Sequence, residues 1–310
     1  AMRLIKLVPA DTHFNFTGKR IAAFFLSAVI VLLSVFFLTV RGLNFGIDFR
    51  GGIMIDVKFE QAPDIISLRN QLDELNLGEV EIQEFGEPEN LLIRVQRQEG
   101  DEKAQLLAIT AVKGMLGEGP DYRRTEFVGP KVGSELIEAG ILAVCMSLLA
   151  IMIYIWFRFE WQFGIGAIAA LTHDVVTTIG LFAILQLEFN LSTIAAILTI
   201  AGYSINDTVV VYDRVRENLR KFKKMALPDL LNQSINQTLA RTTMTSATTL
   251  LALLALYFFG GEVIHDFVFA MIWGVFVGTY SSIFIAAPLL IKLRLRRDSG
   301  GEGEAENSLP

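Results

Sequence analysis

The chain has 310 residues, of which 52% are hydrophobic and 19% are charged, whereas about a quarter of the residues in an ordinary soluble domain are charged. This composition predicts a membrane protein and excludes a disordered chain. The formal net charge is −6, so no basic excess is present to neutralise a phosphate backbone, and nucleic acid is not an expected partner. The sole cysteine, Cys145, has no second cysteine for an intramolecular disulfide.

Six segments are apolar over the length that a transmembrane helix needs, about 20 residues. A polar N-terminal stretch, residues 1–20, precedes the first of them. The predicted spans are residues 21–40, 136–157, 163–187, 191–212, 242–259 and 267–291. The tail, residues 292–310, is rich in Gly, Glu and Ser, and this composition predicts disorder.

Lysine and arginine near the span ends indicate which side of the membrane is cytoplasmic. They collect in residues 1–20, at Arg158, in residues 213–241 and at the start of the tail, whereas the opposite loops 186–190 and 260–266 contain none. The sequence therefore predicts that both termini are cytoplasmic. The basic stretch 214–224, Pro228 and residues 230–239 fit a helix extension, a break and an amphipathic helix at the membrane surface. The alternative, which is favoured, is that the positive charge of this region only sets the topology.

The segment between the first two spans, residues 41–135, is long enough for one small domain on the far side of the membrane. Its alternating and helical patterns predict strands and helices in the order βαββαβ, which is that of a ferredoxin-like domain. We therefore expect an α-helical integral membrane protein with six transmembrane helices and an α+β ferredoxin-like periplasmic domain. The predicted strands are residues 53–59, 80–85, 91–97 and 122–128, and the predicted helices are residues 64–75 and 101–116.

The signatures of ordinary catalysis are absent from the sequence. No Gly-rich loop ends in Gly-Lys-Ser or Gly-Lys-Thr, so no ATP site is predicted. The three histidines, His13, His173 and His265, are far apart and lack the spacing of a zincin pair. The chain is therefore predicted to hold no metal and no cofactor and not to be an enzyme.

Ionisable residues inside the spans are the sharpest functional signal, because a charge near the bilayer centre costs about 2.5–3.5 kcal/mol on the insertion scale. Asp207 lies in the fourth span, with Ser204 on its helical face and Asn206 beside it. Arg241 opens the fifth span. The threonines that share its helical face are Thr238, Thr245 and Thr248.

The fourth span ends and the fifth begins on the same side, so Asp207 and Arg241 are expected at comparable depth on antiparallel helices. A carboxylate facing a guanidinium predicts a proton relay, because desolvation and a nearby positive charge compete over the proton. Protons, rather than a bound cofactor, are then the expected coupling ion. The alternatives are a static ion pair for Asp207 and an Arg241 side chain that extends to the membrane surface.

Asp174 is a third candidate for the relay. It follows His173 near the middle of the third span, with Thr177 and Thr178 on its helical face. The alternative is a neutral, hydrogen-bonded acid that locks helices together.

Small residues recur at every fourth position of the sixth span. A neighbouring helix can approach closely at such a stripe, so these positions predict helix packing. They are Gly274, Gly278 and Ser282.

Motifs along nearly the whole chain resemble the SecD/SecF family of protein-export membrane subunits. They are GIDFRGG at residues 46–52, VGPKVG at 128–133, RFEW at 158–161, His173-Asp174, GYSINDTVVVYDRVREN at 202–218 and INQTLART at 235–242. Two positions depart from the family pattern, since Arg50 stands where threonine is expected and Tyr212 where serine is common. The arginine is expected to change only local contacts where the chain leaves the membrane.

The resemblance implies membership of the resistance–nodulation–division superfamily and use of the proton motive force in late protein export across the bacterial inner membrane. It also implies that six spans pair with six from a partner, and that Asp207 and Arg241 match the family's proton-pathway candidates. The implied partners are SecD, the SecYEG translocon, the accessory subunit YajC, membrane lipid and the translocating unfolded polypeptide.

Two other functions stay open on the sequence. One is a small-molecule or lipid exporter of the same superfamily, which is disfavoured because residues 41–135 offer a single small domain and no second large loop. The other is a non-energised translocon scaffold whose buried charges are structural. A scaffold predicts that Asp207→Asn is tolerated.

Two glycine-containing junctions connect the far-side domain to its spans. The first contains Asp48, Gly51 and Gly52, and the second contains Gly129 and Gly133. Gly51 and Gly52 allow a positive φ where the chain turns towards its first strand. Each junction is interpreted either as a functional hinge or as an ordinary turn.

Overall fold

The computed structural model describes residues 12–78, 80–100, 102–128, 130–260, 264–293 and 295. A 3₁₀ turn, Thr17–Lys19, leads into the first long helix, α1 (Arg20–Val40). The segment that follows forms a small domain. In chain order its elements are β1 (Asn44–Phe45), α2 (Ile47–Arg50), β2 (Gly52–Lys58), α3 (Ile65–Asp73), β3 (Val80–Phe85), β4 (Glu87–Val95), α4 (Glu102–Leu116) and β5 (Asp121–Val128).

The rest of the described chain is almost entirely helical. Its elements are α5 (Pro130–Arg158), α6 (Trp161–Leu185), β6 (Glu188–Phe189), α7 (Leu191–Lys221), α8 (Leu227–Phe259), α9 (His265–Ser281), a π-helical turn (Ser282–Ala286) and α10 (Ala287–Lys292). Within the described ranges, six helical segments are long and apolar enough to cross a membrane, the sixth being α9, the π-helical turn and α10 together. The predicted number of spans is confirmed.

The small domain is built on one antiparallel sheet with the spatial order β3-β4-β2-β5. Ile53 in β2 lies opposite Val95 in β4 and Phe127 in β5. Helices α3 and α4 cover one sheet face, where Ile53 packs with Leu72 and Val112, all fully buried. The order of these strands and helices is the predicted βαββαβ.

The centre of the membrane part is formed by α6, α7 and the sixth span. A Cβ atom at Gly274 would lie 2.2 Å from Cγ1 of Ile200, and one at Gly278 would lie 3.1 Å from Cβ of Ser204. The missing side chains therefore let α9 approach α7 closely. Ser282, the third small residue, lies buried in the π-helical turn, and its hydroxyl donates to the carbonyl oxygen of Thr279 at 3.0 Å.

Helices α1, α5 and α8 lie at the edge of this bundle and expose most of their apolar surface. Helix α1 contacts α6 at Gly180, where a Cβ atom would lie 2.1 Å from Cβ of Ser34. The sequence analysis did not single out this glycine, which belongs to no repeated small-residue pattern. Outward apolar surface is stable in a bilayer because lipid tails are as apolar as leucine.

The prediction of a separate amphipathic surface helix at residues 230–239 is wrong. This stretch is the first part of α8, which continues without interruption to Phe259. Leu230, Leu231 and Ile235 are fully buried in a cluster that includes Val215 of α7. The sequence pattern of an apolar helix face is the same whether that face meets lipid or a neighbouring helix. In this structure α7 extends to Lys221 and covers the face.

Candidate functional site

A buried polar cluster lies where α6, α7 and α9 meet, and Asp174 is at its centre. Its side chain is fully buried. One carboxylate oxygen, Oδ2, accepts hydrogen bonds from the hydroxyls of Ser204 on α7 and Ser281 on α9, each at 2.6 Å. Two donors from two different helices thus converge on a single oxygen atom. Hydrogen bonds to an ionised acceptor are roughly twice as strong as neutral ones.

The second carboxylate oxygen of Asp174 faces the preceding residue, His173. The His173 Nδ1 atom lies 3.0 Å from Oδ1, and the imidazole is itself buried. The other ring nitrogen, Nε2, has no hydrogen-bond partner among the described residues. A proton can therefore sit on either side of the Nδ1···Oδ1 contact, depending on the tautomer and charge of the imidazole.

Tyr280 extends this polar cluster from α6 towards α1. Its ring packs against the His173 imidazole, with 6.1 Å between centroids. Its hydroxyl donates to the carbonyl oxygen of Ala23 at 2.9 Å, so the Ser27 hydroxyl, 3.0 Å away, is the donor to the tyrosine oxygen. Helices α1, α6, α7 and α9 are thus joined by polar side chains in the membrane interior.

Asp207 lies one helical turn beyond Ser204 on α7, nearly fully buried. Its Oδ2 atom has no hydrogen-bond partner in the part of the chain that the structure describes. Ser204 was assigned to the face of Asp207 from its spacing, but its hydroxyl points to Asp174 instead. Ser204 therefore contacts the buried Asp174, and the buried Asp207 lies one turn further along the same helix.

Arg241, the predicted partner of Asp207, is exposed at the surface of α8. No ion pair within 4.0 Å joins the two side chains among those described. The arrangement is a separated pair of opposite charges rather than the static ion pair considered from the sequence.

The threonine hydroxyls next to Arg241 donate to carbonyl oxygens of their own helix. Thr238 donates to the Ser234 carbonyl, Thr245 to the Arg241 carbonyl and Thr248 to the Met244 carbonyl, at 3.1, 3.2 and 2.9 Å. Each hydroxyl is satisfied within α8, which is a common use of threonine inside helices. Asn206, the fifth residue of the predicted polar face, is exposed.

Sequence reasoning missed Ser281 and gave no role to His173. The four-residue spacing from Gly274 and Gly278 drew attention to Ser282, as a packing residue, and not to the preceding Ser281. The three-residue step from Gly278 to Ser281 also keeps one helical face and was the available signal. Nothing local in the sequence marks its bond to Asp174, which is 107 residues away.

The predicted junction motifs hold the small domain against the membrane helices. The Asp48 Oδ2 atom accepts a hydrogen bond from the backbone N–H of Leu191, the first residue of α7, at 2.9 Å. A Cβ atom at Gly133 would lie 2.6 Å from the carbonyl oxygen of Phe49, so α5 packs directly on α2. Gly129 lies outside the described residues.

Both glycines of the first junction have the expected positive φ, +72° at Gly51 and +125° at Gly52. A Cβ atom at Gly52 would also lie 2.9 Å from the carbonyl oxygen of Val95. Backbone conformation and close contact therefore both require glycine here. The contact with β4 fixes the position of Gly52 in the sheet.

Two further contacts join the small domain to the short connection between α6 and α7. Strand β1 pairs in parallel with β6, placing Phe45 opposite Phe189. Arg94 of β4 forms an ion pair with Glu188 of β6. Burial raises the pKa of the Glu188 carboxyl, and the Arg94 guanidinium opposes this shift. The domain is thus fastened by hydrogen bonds and charge as well as by the chain itself.

The fold and the buried cluster define a polytopic membrane protein with protonatable groups in its helical core and a small α+β domain attached to one end. The family described as "Protein export membrane protein SecD/SecF, C-terminal" matches residues 109–296. The "SecD/SecF GG Motif" family matches residues 36–63, which contain Asp48, Gly51 and Gly52.

Similar proteins share this organisation over most of the chain. A protein translocase subunit SecF from Rickettsia akari is 47% identical over 295 residues, covering 94% of this chain and 96% of that protein. One from Magnetococcus marinus is 49% identical over 285 residues, with coverages of 90% and 92%. The chain belongs to the SecF family.

Solved structures resemble the chain in fold as well. The crystal structure of SecDF, a translocon-associated membrane protein from Thermus thermophilus, superposes with a TM-score of 0.84 at 37% identity, covering 94% of this chain. SecDF in a super-membrane-facing form superposes with a TM-score of 0.68, also at 37% identity. This chain spans about 40% of the SecDF chain.

Proposed function

We propose that this chain is the SecF-type subunit of the Sec protein-export machinery in the bacterial inner membrane, where it uses the proton motive force to promote late stages of translocation. Its similarity to SecF translocase subunits over 94% of its length supports the export role. Its match to only part of SecDF supports a SecD-type partner that supplies the remainder. The exposed apolar faces of α1, α5 and α8 offer surface for that partner.

One observation carries the proton-coupled part of the proposal: the carboxylate of Asp174 is fully buried and receives serine hydroxyls from two other helices. An ionised Asp174 accepts hydrogen bonds from all of its polar neighbours. A protonated Asp174 must donate one bond, and the Nδ1 atom of His173 is the neighbour that can accept it. Proton uptake therefore changes the hydrogen bond between Asp174 and His173 without breaking the serine bonds.

Asp207 extends the path along α7. Its carboxyl group lies one turn from Ser204 and has an oxygen without a partner among the described side chains. In this proposal the positive charge of Arg241 competes with burial over the proton of Asp207. We propose that a proton moves between Asp207 and the Asp174 cluster, with Ser204 between them, and that Arg241 sets the balance.

The small domain supplies the mechanical part of the proposal. We assign it to the ferredoxin-like class on the periplasmic side, where it engages the unfolded polypeptide that leaves the SecYEG translocon, with YajC as an accessory subunit. Its sheet order and βαββαβ sequence support the class. The positive-inside distribution supports the side. Contacts to the α6–α7 connection give α6 a direct route to the domain.

The complete hydrogen bonding of Asp174 also fits a second candidate function, a non-energised scaffold in which this acid only locks three helices together. The scaffold requires no change of protonation. Both candidates therefore predict that Asp174 matters for stability, but only the relay predicts that energy coupling can be lost from a correctly assembled complex.

The test is export driven by the proton motive force in sealed vesicles that contain the complex with its SecD-type partner. Asp174→Asn and Asp207→Asn keep side-chain size and remove the titratable group. Asp229→Asn, at the exposed start of α8, is the matched control. We expect export stimulation to fall by about 10-fold or more in both buried variants, as for loss of a positioned proton-transfer group, with normal assembly and a normal control. Normal stimulation in both variants would leave the scaffold as the function.

A further inference from the structure

A basic cleft lies at the end of the bundle opposite the small domain. Its volume is about 500 Å³, and it lies between the α5–α6 turn and the last two turns of α7. The positive-inside distribution places this end in the cytoplasm. The lining residues are Arg158, Asp213, Arg216, Glu217, Arg220 and Lys221.

Two of the guanidinium groups in the cleft are held against one aromatic ring. The Arg158 and Arg216 guanidinium carbons lie 4.9 and 5.4 Å from the centroid of Phe159. That ring is buried and packs edge-on against Tyr212, with 5.9 Å between centroids. Arg216 also donates to the backbone carbonyl of Arg158 at 3.2 Å. The two positive groups are therefore fixed in place before any ligand arrives.

The acidic residues of the cleft are already engaged. Asp213 accepts from Arg158 at 2.8 Å, and Glu217 accepts from Arg214, which lies outside the cleft lining, at 2.6 Å. Among the described residues, Arg216 and Arg220 have no acidic partner within 4.0 Å. Arg216 is thus a fixed guanidinium without a carboxylate, and with Arg220 beside it in the cleft lining it forms a site for a planar or tetrahedral oxyanion, since guanidinium donors match two oxygens of one group.

The position of the cleft indicates which molecule carries that oxyanion. Phe157, next to the last residue of α5, and Trp161, the first residue of α6, expose 89% and 56% of their surface, and Trp156 is similarly exposed. Tryptophan and other aromatic residues collect at the level of lipid headgroups. The cleft therefore opens at the membrane surface rather than into bulk water.

We propose that this cleft binds the phosphate of an anionic phospholipid in the cytoplasmic leaflet, with Arg216 and Arg220 as the principal ligands. A bound headgroup would fix the end of α7, the helix that carries Ser204 and Asp207. Basic pockets between helices on the cytoplasmic side are a known way to hold such headgroups. An acidic segment of a partner protein is the competing occupant.

The test measures thermal stabilisation of the purified complex by added lipid, with phosphatidylglycerol, phosphatidylcholine and inorganic phosphate as three separate probes. The variants are Arg216→Gln, Arg220→Gln and their combination. Lys292→Gln is the matched control, because Lys292 also lies over an aromatic ring, that of Phe24, at the same end of the bundle. Arg216→Lys with Arg220→Lys keeps the charge and removes the two-pronged geometry.

We expect phosphatidylglycerol, and neither other probe, to raise the midpoint of unfolding. Each Arg→Gln change should raise the half-saturating lipid fraction about fivefold, since a basic residue near an anionic surface contributes about 1 kcal/mol. The variant with Arg216→Lys and Arg220→Lys should lose less lipid affinity than the double Gln variant. Lys292→Gln should behave as wild type.

Three results would overturn the proposal. An unchanged response to phosphatidylglycerol in the double Gln variant would show that lipid binds elsewhere. Stabilisation by inorganic phosphate alone would make the cleft a site for free anions. Loss of the SecD-type partner from the double Gln variant, with lipid stabilisation retained, would make the cleft a protein interface.

Discussion

Arg94 on β4 and Glu188 in the α6–α7 connection form an ion pair that joins the small domain to the membrane helices. Arg94 points from the sheet face that α3 and α4 leave uncovered, and it also lies 3.4 Å from Glu81 of β3. The side chains of Arg94 and Glu188 are only 15% and 21% exposed. A charge pair this far removed from solvent is sensitive to the loss of either partner.

Removing Arg94 should harm the junction more than neutralising Glu188. Arg94→Ala leaves a largely buried carboxylate without its cation, which we expect to lower the free energy of unfolding by about 1–3 kcal/mol, below the range for fully buried pairs. Glu188→Gln leaves Arg94 near Glu81 and should cost less than about 1 kcal/mol. Thermal unfolding of the complex and protease cleavage at the junction measure both effects.

Lys58→Ala is the matched control for this pair. Lys58 forms an exposed ion pair with Glu87 in the same domain, at 3.3 Å. Exposed pairs contribute about 0–1 kcal/mol, so this change should be close to neutral. An equal effect of Arg94→Ala and Lys58→Ala would show that the Arg94–Glu188 pair does not fasten the domain.

Glu188 should also give the junction a defined pH dependence. Burial is the largest influence on its carboxyl group and raises the pKa above the ordinary value of 4.5. The nearby acids Asp266, Asp48 and Glu81 act in the same direction, and Arg94 opposes them. The native state therefore binds this proton more tightly than the unfolded state, so stability from Glu188 is full below the ordinary value and falls as pH rises through the raised one.

The measurement is the difference in unfolding midpoint between wild type and Glu188→Gln as a function of pH. Wild type should lose stability relative to Glu188→Gln as pH increases from the ordinary glutamate value upwards. The opposite slope would mean that attraction to Arg94 outweighs desolvation.

The close approach of α7 and α9 should depend on Gly274. A methyl group there would overlap the Ile200 side chain, so Gly274→Ala should destabilise the protein by about 1–3 kcal/mol through overpacking. Gly202→Ala on α7 is the control, because no atom lies within 4 Å of the added Cβ. In an Ile200→Ala background, which removes all three overlapping atoms, Gly274→Ala should cost less. An equal cost in both backgrounds would place the strain elsewhere.

Asp48 should act on a helix that begins 143 residues later in the chain. Asp48→Ala removes the acceptor for the Leu191 N–H and should cost about 1 kcal/mol, as for other helix N-caps, whereas Asp48→Asn keeps an acceptor and should cost less. Hydrogen exchange in the first turn of α7 measures the change directly. Asp64→Ala, which removes the local cap of α3, should affect only α3. Unchanged exchange in α7 would show that Asp48 does not stabilise this end.

The sequence allowed the architecture to be predicted better than the site. Strand and helix periods are local, so Ile53, Leu72 and the six apolar segments could be placed from pattern alone. The partner of Ser204 could not, because helical spacing shows which residues share a face but not which neighbour that face meets. The prediction of a surface helix was wrong for the same reason. The spacing of Leu230 and Ile235 in the sequence is the same whether their face meets lipid or α7.

The two serines that bind Asp174 should show energetic coupling. Ser204 and Ser281 donate to the same oxygen, so Ser204→Ala and Ser281→Ala should each cost about 0.5–3 kcal/mol, the range for lost hydrogen bonds to neutral and charged acceptors. Because they share one acceptor, their double variant should deviate from additivity by about 0.5–3 kcal/mol. In the Asp174→Asn background both changes should cost less, since a neutral amide accepts weaker bonds.

Ser246→Ala is the control for these serine substitutions. Ser246 is hydrogen-bonded to Thr279 at 2.7 Å and joins α8 to α9 without a charged group. Its loss should cost about 0.5–1.5 kcal/mol and should be independent of Asp174→Asn. Chemical unfolding of these eight variants measures the free-energy change of each substitution and the coupling between them. Additive serine effects that Asp174→Asn leaves unchanged would mean that the hydroxyls stabilise their own helices, as the bond of Ser281 to the Gly278 carbonyl permits, and not the buried carboxylate.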